Sequence, residues 1–183
     1  MNKYFSIKQI SCGWIAFTIC DDSKEYYYDV SYMSNFPDDF MLALLTAVGQ
    51  WPKDERHNRF TTDEEPAFSE WEVSSDGNDL VFDVVEYESL EKKKKQGEVS
   101  IRVNRNSFLK DFLNEMDGVL NRYGLLGFRK EWDFEFPLSL YLCLKDYYLG
   151  QSNPIVKKES SDDWNNLGSE YQSTDFNLEK KMM

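Results

Sequence analysis

The 183-residue sequence predicts an α+β fold of two layers, with helices on one face of a mainly antiparallel sheet of about six strands. Three observations indicate this class. Short runs rich in aromatic and β-branched residues alternate with turn-forming residues, which is typical of strands joined as hairpins. Longer segments repeat their apolar residues at helical spacing. The composition, with 41% hydrophobic and 16% aromatic residues, is sufficient to bury a core.

The first third of the chain predicts three strands and a helix. The strand runs are KYFSIKQI (3–10), GWIAFTIC (13–20) and EYYYDVSYM (25–33). Aspartate and serine in DDSK (21–24) favour a tight connection between the second and third runs. Apolar residues then recur at helical spacing in DDFMLALLTAVGQ, which predicts a helix over 38–50. Residues 51–66 show no period and predict a loop.

The middle of the chain predicts three more strands. They are AFSEWEVS (67–74), DLVFDVVEYES (79–89) and GEVSIRVN (97–104). Asp76-Gly77 within SDGN predicts a hairpin turn between the first two. In the last strand the valines and isoleucine alternate with Glu98, Ser100 and Arg102. The lysine-rich segment LEKKKKQGE (90–98) predicts a solvated hairpin loop, because four lysines flanked by acids make a poor phosphate-binding surface.

Two helices complete the predicted order βββαβββαα. Residues 107–123 carry one continuous apolar stripe, and Gly124 is expected to end that helix. A second helix is predicted over 137–149, with Pro137 in its first turn. Residues 1–150 are therefore predicted to form a single domain. From residue 151 to 183 the periodicity stops, which predicts a flexible or loosely docked polar tail.

The charge balance excludes some partners and favours others. Thirty-three acids against 21 bases give a net charge of −12, which disfavours binding to nucleic acid. A basic protein is the partner that this charge favours. No signal-peptide pattern and no run of about 20 apolar residues occurs, so we expect a cytoplasmic protein without a membrane partner.

The residue types needed for common active sites are scarce. His57 is the single histidine, and Cys12, Cys20 and Cys143 form no CxxC pair. Glycine-rich loops that hold phosphates are absent. The sequence therefore predicts no metal site, no cofactor and no assigned catalytic residue.

Two groups of acids are the candidate partner-binding residues. In RKEWDFEFPL (129–138) acids alternate with aromatics, so an extended conformation would place the carboxylates on one side and the rings against the core. The acids are Glu131, Asp133 and Glu135, and the rings are Trp132, Phe134 and Phe136. The second group, in the predicted loop, is Asp63, Glu64 and Glu65. A catalytic carboxylate pair within 131–135 is the competing interpretation.

The segment YGLLGFRKEWDFEFPLSLYLCLKDYYL (123–149) carries a resemblance. A helix ending in Tyr-Gly is followed by Gly-Phe, a tryptophan, and Phe-Pro opening a leucine-rich helix. This order resembles the end of uncharacterised small acidic single-domain bacterial proteins, some of which are immunity proteins of polymorphic-toxin systems. The resemblance implies a protein that binds and blocks a cognate toxin, and it carries no functional residues across.

These observations favour a non-enzymatic binding protein, of which an immunity-type inhibitor of a basic toxin is one form. Two alternatives stay open at the level of sequence. The first is a carboxylate-dependent hydrolase of unfamiliar type, with or without the assistance of a metal ion, and the second is a structural or oligomeric protein. The sequence leaves the oligomeric state and the identity of any partner open.

Overall fold

A computed structural model describes residues 3–50, 58–89 and 94–150, together with the backbone of residues 156–160 and 169–173. Residues 3–150 of this described part form an α+β fold, as predicted, with seven strands and three helices. The strands form two antiparallel sheets of three and four strands, whereas the sequence predicted a single sheet of about six.

The first sheet has the order β1-β2-β3. Its strands are β1 (Phe5–Ser11), β2 (Trp14–Cys20) and β3 (Glu25–Ser31). Cys12 and Gly13 make the two-residue turn between β1 and β2, both with positive φ, which matches the twist of the flanking strands. Ile15, Phe17 and Ile19 are buried on one face, as their alternation predicted.

The second sheet has the order β4-β5-β6-β7. Its strands are β4 (Arg59–Glu64), β5 (Ala67–Asp76), β6 (Asp79–Tyr87) and β7 (Lys95–Asn104). The predicted turn at Asp76-Gly77 is confirmed, since Asp76 pairs with Asp79 and Gly77 has a φ of +60°. Lys95–Glu98 belongs to β7, although the lysine-rich segment was predicted as loop; residues 90–93 lie outside the described part.

The prediction of a loop over 51–66 is wrong for residues 59–64, which form β4. This strand contains only one large apolar residue, Phe60, so it lacks the alternation that indicates a strand. Pairing with β5 and stacking of Phe60 on Trp71, with ring centroids 5.7 Å apart, stabilise it instead. Residues 51–57 of the predicted loop lie outside the described part.

The three helices are α1 (Phe36–Ala47), α2 (Arg105–Trp132) and α3 (Leu138–Leu149). Helix α1 begins two residues before the predicted start. Gly124 interrupts α2 with φ of 60° and ψ of −170°, but the helix resumes and continues to Trp132. The predicted end at Gly124 is therefore a break within a longer element.

One aromatic core joins both sheets to the helices. The Phe40 ring of α1 lies 6.0 Å from Phe5 of β1, 5.9 Å from Phe82 of β6 and 5.6 Å from Phe112 of α2. Helix α3 packs against α1 and α2. The apolar stripe predicted for 107–123 faces this core, with Leu109 among its buried residues.

Part of the predicted tail has regular backbone structure. Val156–Ser160 forms β8 and Ser169–Ser173 forms β9, and the two strands pair antiparallel. The other residues of 151–183 lie outside the described part, so a flexible or loosely docked tail stays a prediction. Among the described helices, none has both the length and the apolarity that crossing a bilayer requires.

Candidate acidic binding face

The predicted acids at 131–135 lie at the end of a helix and do not share one side of an extended segment. Glu131 is half-buried in the last turn of α2, and its carbonyl accepts a 2.6 Å hydrogen bond from Gly13 N. Asp133 caps α2 in a left-handed conformation and donates its N–H to Arg129 O at 2.8 Å. Glu135 is exposed and forms an ion pair with Arg129.

The three rings of this segment also separate. Trp132 is fully buried and Phe136 is 4% exposed, but Phe134 is 39% exposed. The prediction that all three cover the core is therefore wrong for Phe134. Trp132 follows Phe128 by four residues, so helical spacing, not alternation, places its ring in the core.

The second predicted group lies at the end of β4 and in the following turn. Asp63 accepts hydrogen bonds from Ser31 Oγ at 3.5 Å and from Glu65 N at 3.1 Å. Glu64 is half-buried and accepts a 3.0 Å hydrogen bond from Thr62 Oγ1. Glu65 is exposed. Two of these three carboxylates therefore take part in local structure.

A short series of contacts links the two groups. The Gly13 N–H binds the carbonyl of Glu131, while the Gly13 carbonyl accepts from Tyr32 N at 2.8 Å. Ser31, next to Tyr32, contacts Asp63. These bonds tie the end of α2 to both sheets, but they leave the acids in separate local environments.

A different set of acids shares one surface. In one row across the sheet, Val85 of β6 lies between Glu70 of β5 and Glu98 of β7. In the next row, Glu72 of β5 is paired with Asp83 of β6. All four acids belong to the outer face of the four-stranded sheet, because they alternate with core residues. We call Glu70, Glu72, Asp83 and Glu98 the acidic face. Three of them are exposed, and Glu72 is partly exposed.

The acidic face lines an open groove of about 560 Å³ on the outside of the four-stranded sheet. Its charged lining comprises the four carboxylates and Arg59, a net charge of −3 from four acids minus one base. Val85 and Thr61 lie between the carboxylates and supply apolar and hydroxyl surface. The groove is thus acidic and open to solvent.

The carboxylates of the acidic face are only partly neutralised. Arg59 pairs with Glu72 at 2.9 Å, and Lys95 pairs with Glu98. Tyr87 Oη donates to Glu70 at 3.1 Å. Glu72 and Asp83 stand directly opposite each other on paired strands, an arrangement of like charges that destabilises a sheet. Such a local cost is expected where a surface serves binding.

The opposite side of the same sheet holds the acidic face rigidly in place. Trp71, Val73, Phe82, Val84 and Ile101 alternate with its residues and are buried. Because a one-residue slip would expose all of these side chains, the register of the four acids is strongly specified.

Sequence reasoning missed the acidic face, although its signal was present. The run AFSEWEVS alternates glutamates with apolar or small residues, and GEVSIRVN places Glu98 opposite its buried residues. What was absent was the pairing of strands, since alternation alone does not say which acids of different strands become neighbours.

Metal-ligating side chains and thiols are the groups on which other kinds of site would depend. Among the described residues, no group of three or more histidine, cysteine, aspartate or glutamate side chains is arranged to hold a metal ion. His57 lies outside the described part. Cys12 and Cys143 are exposed, whereas Cys20 is buried, and burial raises the pKa of its thiol.

Comparisons with known proteins identify no relative of this chain. No protein-family model matches the chain, and searches of curated proteins and of solved structures find no match. The functional interpretation therefore depends on the geometry described above.

Proposed function

We propose that this protein binds a basic protein partner through the acidic face, and that it is an immunity-type inhibitor of a basic toxin. One observation carries the proposal: four acids from three strands converge on an open groove with a net charge of −3. The net charge of the whole chain, −12, has the same sign.

The electrostatics of such a face suit rapid association. A surface of one sign raises the encounter rate with an oppositely charged protein, and salt screens this effect over about 8–10 Å at physiological ionic strength. Because the acids lie on a rigid sheet, binding would require little rearrangement. An inhibitor that must capture its toxin quickly benefits from both properties.

The alternatives of the sequence analysis receive less geometric support. A carboxylate hydrolase would use an acid of 131–135 within a cleft, but Asp133 is exposed and Glu131 does not line the groove. Self-association through the three-stranded sheet has one supporting observation, the 60% exposed Tyr27 on β3. Self-association is therefore one of the outcomes that the experiment below distinguishes.

The test is the association rate with the product of the neighbouring gene, measured at about 50 and about 500 mM NaCl. We expect a decrease of about tenfold or more at high salt, since steering falls steeply with ionic strength. The double variant Glu70→Gln/Asp83→Asn should reduce the low-salt rate several-fold. The matched control is Glu131→Gln/Glu135→Gln, which removes the same charge elsewhere.

Three results would contradict the proposal: no complex, a rate that salt does not change, or equal effects of the two double variants. Size-exclusion chromatography of the free chain at two concentrations accompanies the measurement. A concentration-dependent dimer that competes with the partner would favour the oligomeric alternative.

A further inference from the structure

Each of the two sheets has two edge strands, and three of these four edges meet another part of the fold. Helix α2 lies along the edge of β1, where the N–H groups of Tyr4 and Ile7 donate to carboxylates of the helix at 2.8 and 3.2 Å. Strands β3 and β4 pack against each other, and Asp63 N donates to Ser34 Oγ at 3.2 Å. The edge of β7 has no neighbouring strand in the described part of the chain.

Alternate residues of β7 direct their backbone groups to this open edge. Arg105 N donates to Asn78 O at 2.9 Å, which continues the pairing of β6 with β7 by one residue. Because bonded and non-bonded pairs alternate along antiparallel strands, the odd-numbered residues of β7 bond to β6. Glu98, Ser100 and Arg102 therefore direct their N–H and C=O groups away from β6. Within the described residues, these groups have no hydrogen-bond partner.

The side chains along this edge are complementary to themselves in the reverse direction. In the run EVSIR (98–102), Ser100 is the centre, with an acid two residues before it and a base two residues after it. Glu98, Ser100 and Arg102 are all exposed on the outer face of the sheet. On the inner face, Val99 and Ile101 stand one residue to each side of the centre, and Val99 is only half-buried. A second EVSIR strand, running antiparallel, therefore meets charge with opposite charge and apolar residue with apolar residue.

We infer that two copies of this chain form a dimer by antiparallel pairing of their β7 edges, with a two-fold axis at Ser100. In this register Glu98 lies opposite Arg102 of the partner subunit, and the symmetry repeats that pair. Glu98, Ser100 and Arg102 each donate one backbone hydrogen bond to the partner subunit and accept one from it. The two four-stranded sheets become one continuous sheet, and the exposed edge of each is removed.

The charges of β7 select this register over its neighbours. A dimer centred on Val99 or on Ile101 would place the charged residues opposite uncharged ones, so both ion pairs would be lost. Centring on Glu98 or on Arg102 would bring like charges face to face, which is unfavourable on paired strands. In the register centred on Ser100, the half-buried Val99 is also covered by Ile101 of the partner subunit.

The ion pairs within one chain do not block this arrangement. Glu98 pairs with Lys95, and Arg102 pairs with Asp76 at 2.9 Å, but all four side chains are at least 50% exposed. Ion pairs at such positions contribute little to stability. The guanidinium group has five N–H donors, so Arg102 can bind a further carboxylate without releasing Asp76.

This dimer goes beyond the proposed function and does not compete with it. The edges pair in the plane of the sheet, so the acidic face of each copy stays open to a basic partner, and only Glu98 of that face takes part in the edge. The net charge of −12 on each copy opposes self-association, whereas the paired edge favours it. We therefore expect a dissociation constant in the micromolar range, at the weak end for protein interfaces.

Sedimentation velocity of the full chain between about 1 and about 500 µM tests the dimer, because a micromolar dissociation constant falls inside this range. We expect the mass to rise from the 21.6 kDa of one chain toward twice that value. Hydrogen exchange of the amides of Glu98, Ser100 and Arg102 should slow as the concentration increases, while exchange in β1 should not change.

Charge variants test the register directly. Glu98→Arg places like charges opposite each other at both ends of the paired region, and Arg102→Glu does the same, so each variant should weaken the dimer about tenfold or more. Mixed together, the two variants should form a heterodimer, because every opposing pair is then again of opposite charge. Glu70→Arg, which makes the same change of charge on the acidic face, is the control and should leave the dimer intact.

A backbone variant separates strand pairing from side-chain contacts. Ser100→Pro removes an N–H that bonds to no strand in the single chain, so the fold should persist while the dimer is lost. Circular dichroism melting of every variant checks that it folds. If Ser100→Pro unfolds, the charge variants and their mixture still decide the question.

Several results would overturn the inference. They are the mass of one chain at every concentration, a dimer that the charge variants do not weaken, and a failure of the mixed variants to associate. Amides of the β7 edge that are protected equally at all concentrations would mean that another segment of the same chain covers the edge. Failure of the dimer leaves the acidic face to its own test with Glu70→Gln/Asp83→Asn, and success here does not require that the acidic face bind anything.

Discussion

Thr62 of β4 joins the aromatic core to the partly buried carboxylate of Glu64 through two hydrogen bonds. It is fully buried, and its hydroxyl uses both of its functions, accepting from Trp71 and donating to Glu64. Trp71 in turn stacks with Phe60 and lies edge-on to Tyr28, with ring centroids 4.6 Å apart. One small side chain therefore connects the aromatic core to the carboxylate.

Replacing Thr62 by valine should destabilise the fold by about 1–3 kcal/mol, because the buried Trp71 N–H would lose its acceptor. Valine has almost the same shape, so the loss reports the hydrogen bonds and not a cavity. Urea denaturation followed by circular dichroism measures the change in the free energy of unfolding.

The neighbouring residue supplies the control for this substitution. Thr61 is exposed on the outer face of the same strand, so Thr61→Val should change stability by less than about 0.5 kcal/mol. Similar effects of the two valine variants would show that the hydrogen bonds of Thr62 contribute nothing.

At the scale of elements, the break in α2 determines the direction of the last turns of that helix. Gly124 has a backbone conformation, φ 60° and ψ −170°, that is essentially restricted to glycine. The break lets residues 125–132 change direction, so that Phe128 and Trp132 enter the core. Asp117 then holds α3 against α2 by accepting from Lys145 Nζ at 2.7 Å.

Two glycines in the same helix should respond in opposite directions to alanine. Gly124→Ala should destabilise the fold by about 1–3 kcal/mol, because alanine is strained at that conformation. Gly118→Ala should stabilise it by up to about 1 kcal/mol, because Gly118 is helical and an added Cβ meets no atom within 4 Å.

Thermal unfolding of both alanine variants beside the wild type measures this difference. A neutral effect at Gly124 would mean that the helix can straighten there at no cost, and the break would then have no structural role.

For the whole molecule, partly buried carboxylates are expected to make stability depend on pH. Burial raises the pKa of Asp38, of Asp39 and of Glu64. The native state therefore holds these protons more tightly than the unfolded chain. Their contribution to stability is present at low pH and is lost as the pH rises through the raised values.

The triple variant Asp38→Asn/Asp39→Asn/Glu64→Gln should therefore gain stability relative to the wild type as the pH rises from about 4, near the ordinary carboxyl pKa values, to neutrality. Urea denaturation at each pH gives the difference in the free energy of unfolding. The control, Glu70→Gln/Asp83→Asn/Glu98→Gln, removes the same net charge from exposed positions and reports the relief of general repulsion alone. Identical pH profiles of the two variants would contradict the assignment to buried carboxyls.

The sequence alone was sufficient for much of the local structure. Alternation in 13–20 and 97–104 identified the buried faces of two strands, and the stripe in 107–123 identified the helix that packs on them. Gly77 was recognisable as a turn residue, whereas Gly124, predicted as the end of its helix, is a break within a longer one. These features depend on the conformational preferences and spacing of neighbouring residues, which the sequence displays directly.

Tertiary structure decided the rest. Strand β4 has little apolar pattern and forms because β5 and Trp71 are there to pair and stack with it. Acids alternate with aromatics over residues 131–136, yet residues 131 and 132 are helical because Phe128 and Trp132 share one helical face toward the core. The periodicity of the sequence carries no information about these long-range contacts.

The same distinction applies to the candidate sites. Composition and charge predicted an acidic binding protein, and the acids at 63–65 and 131–135 were chosen because they cluster along the chain. The acids of the acidic face cluster only in space, through the register of their strands. Sequence determined which side of each strand carries charge; only the folded structure decided which of those charges become neighbours, since that depends on pairing between distant segments.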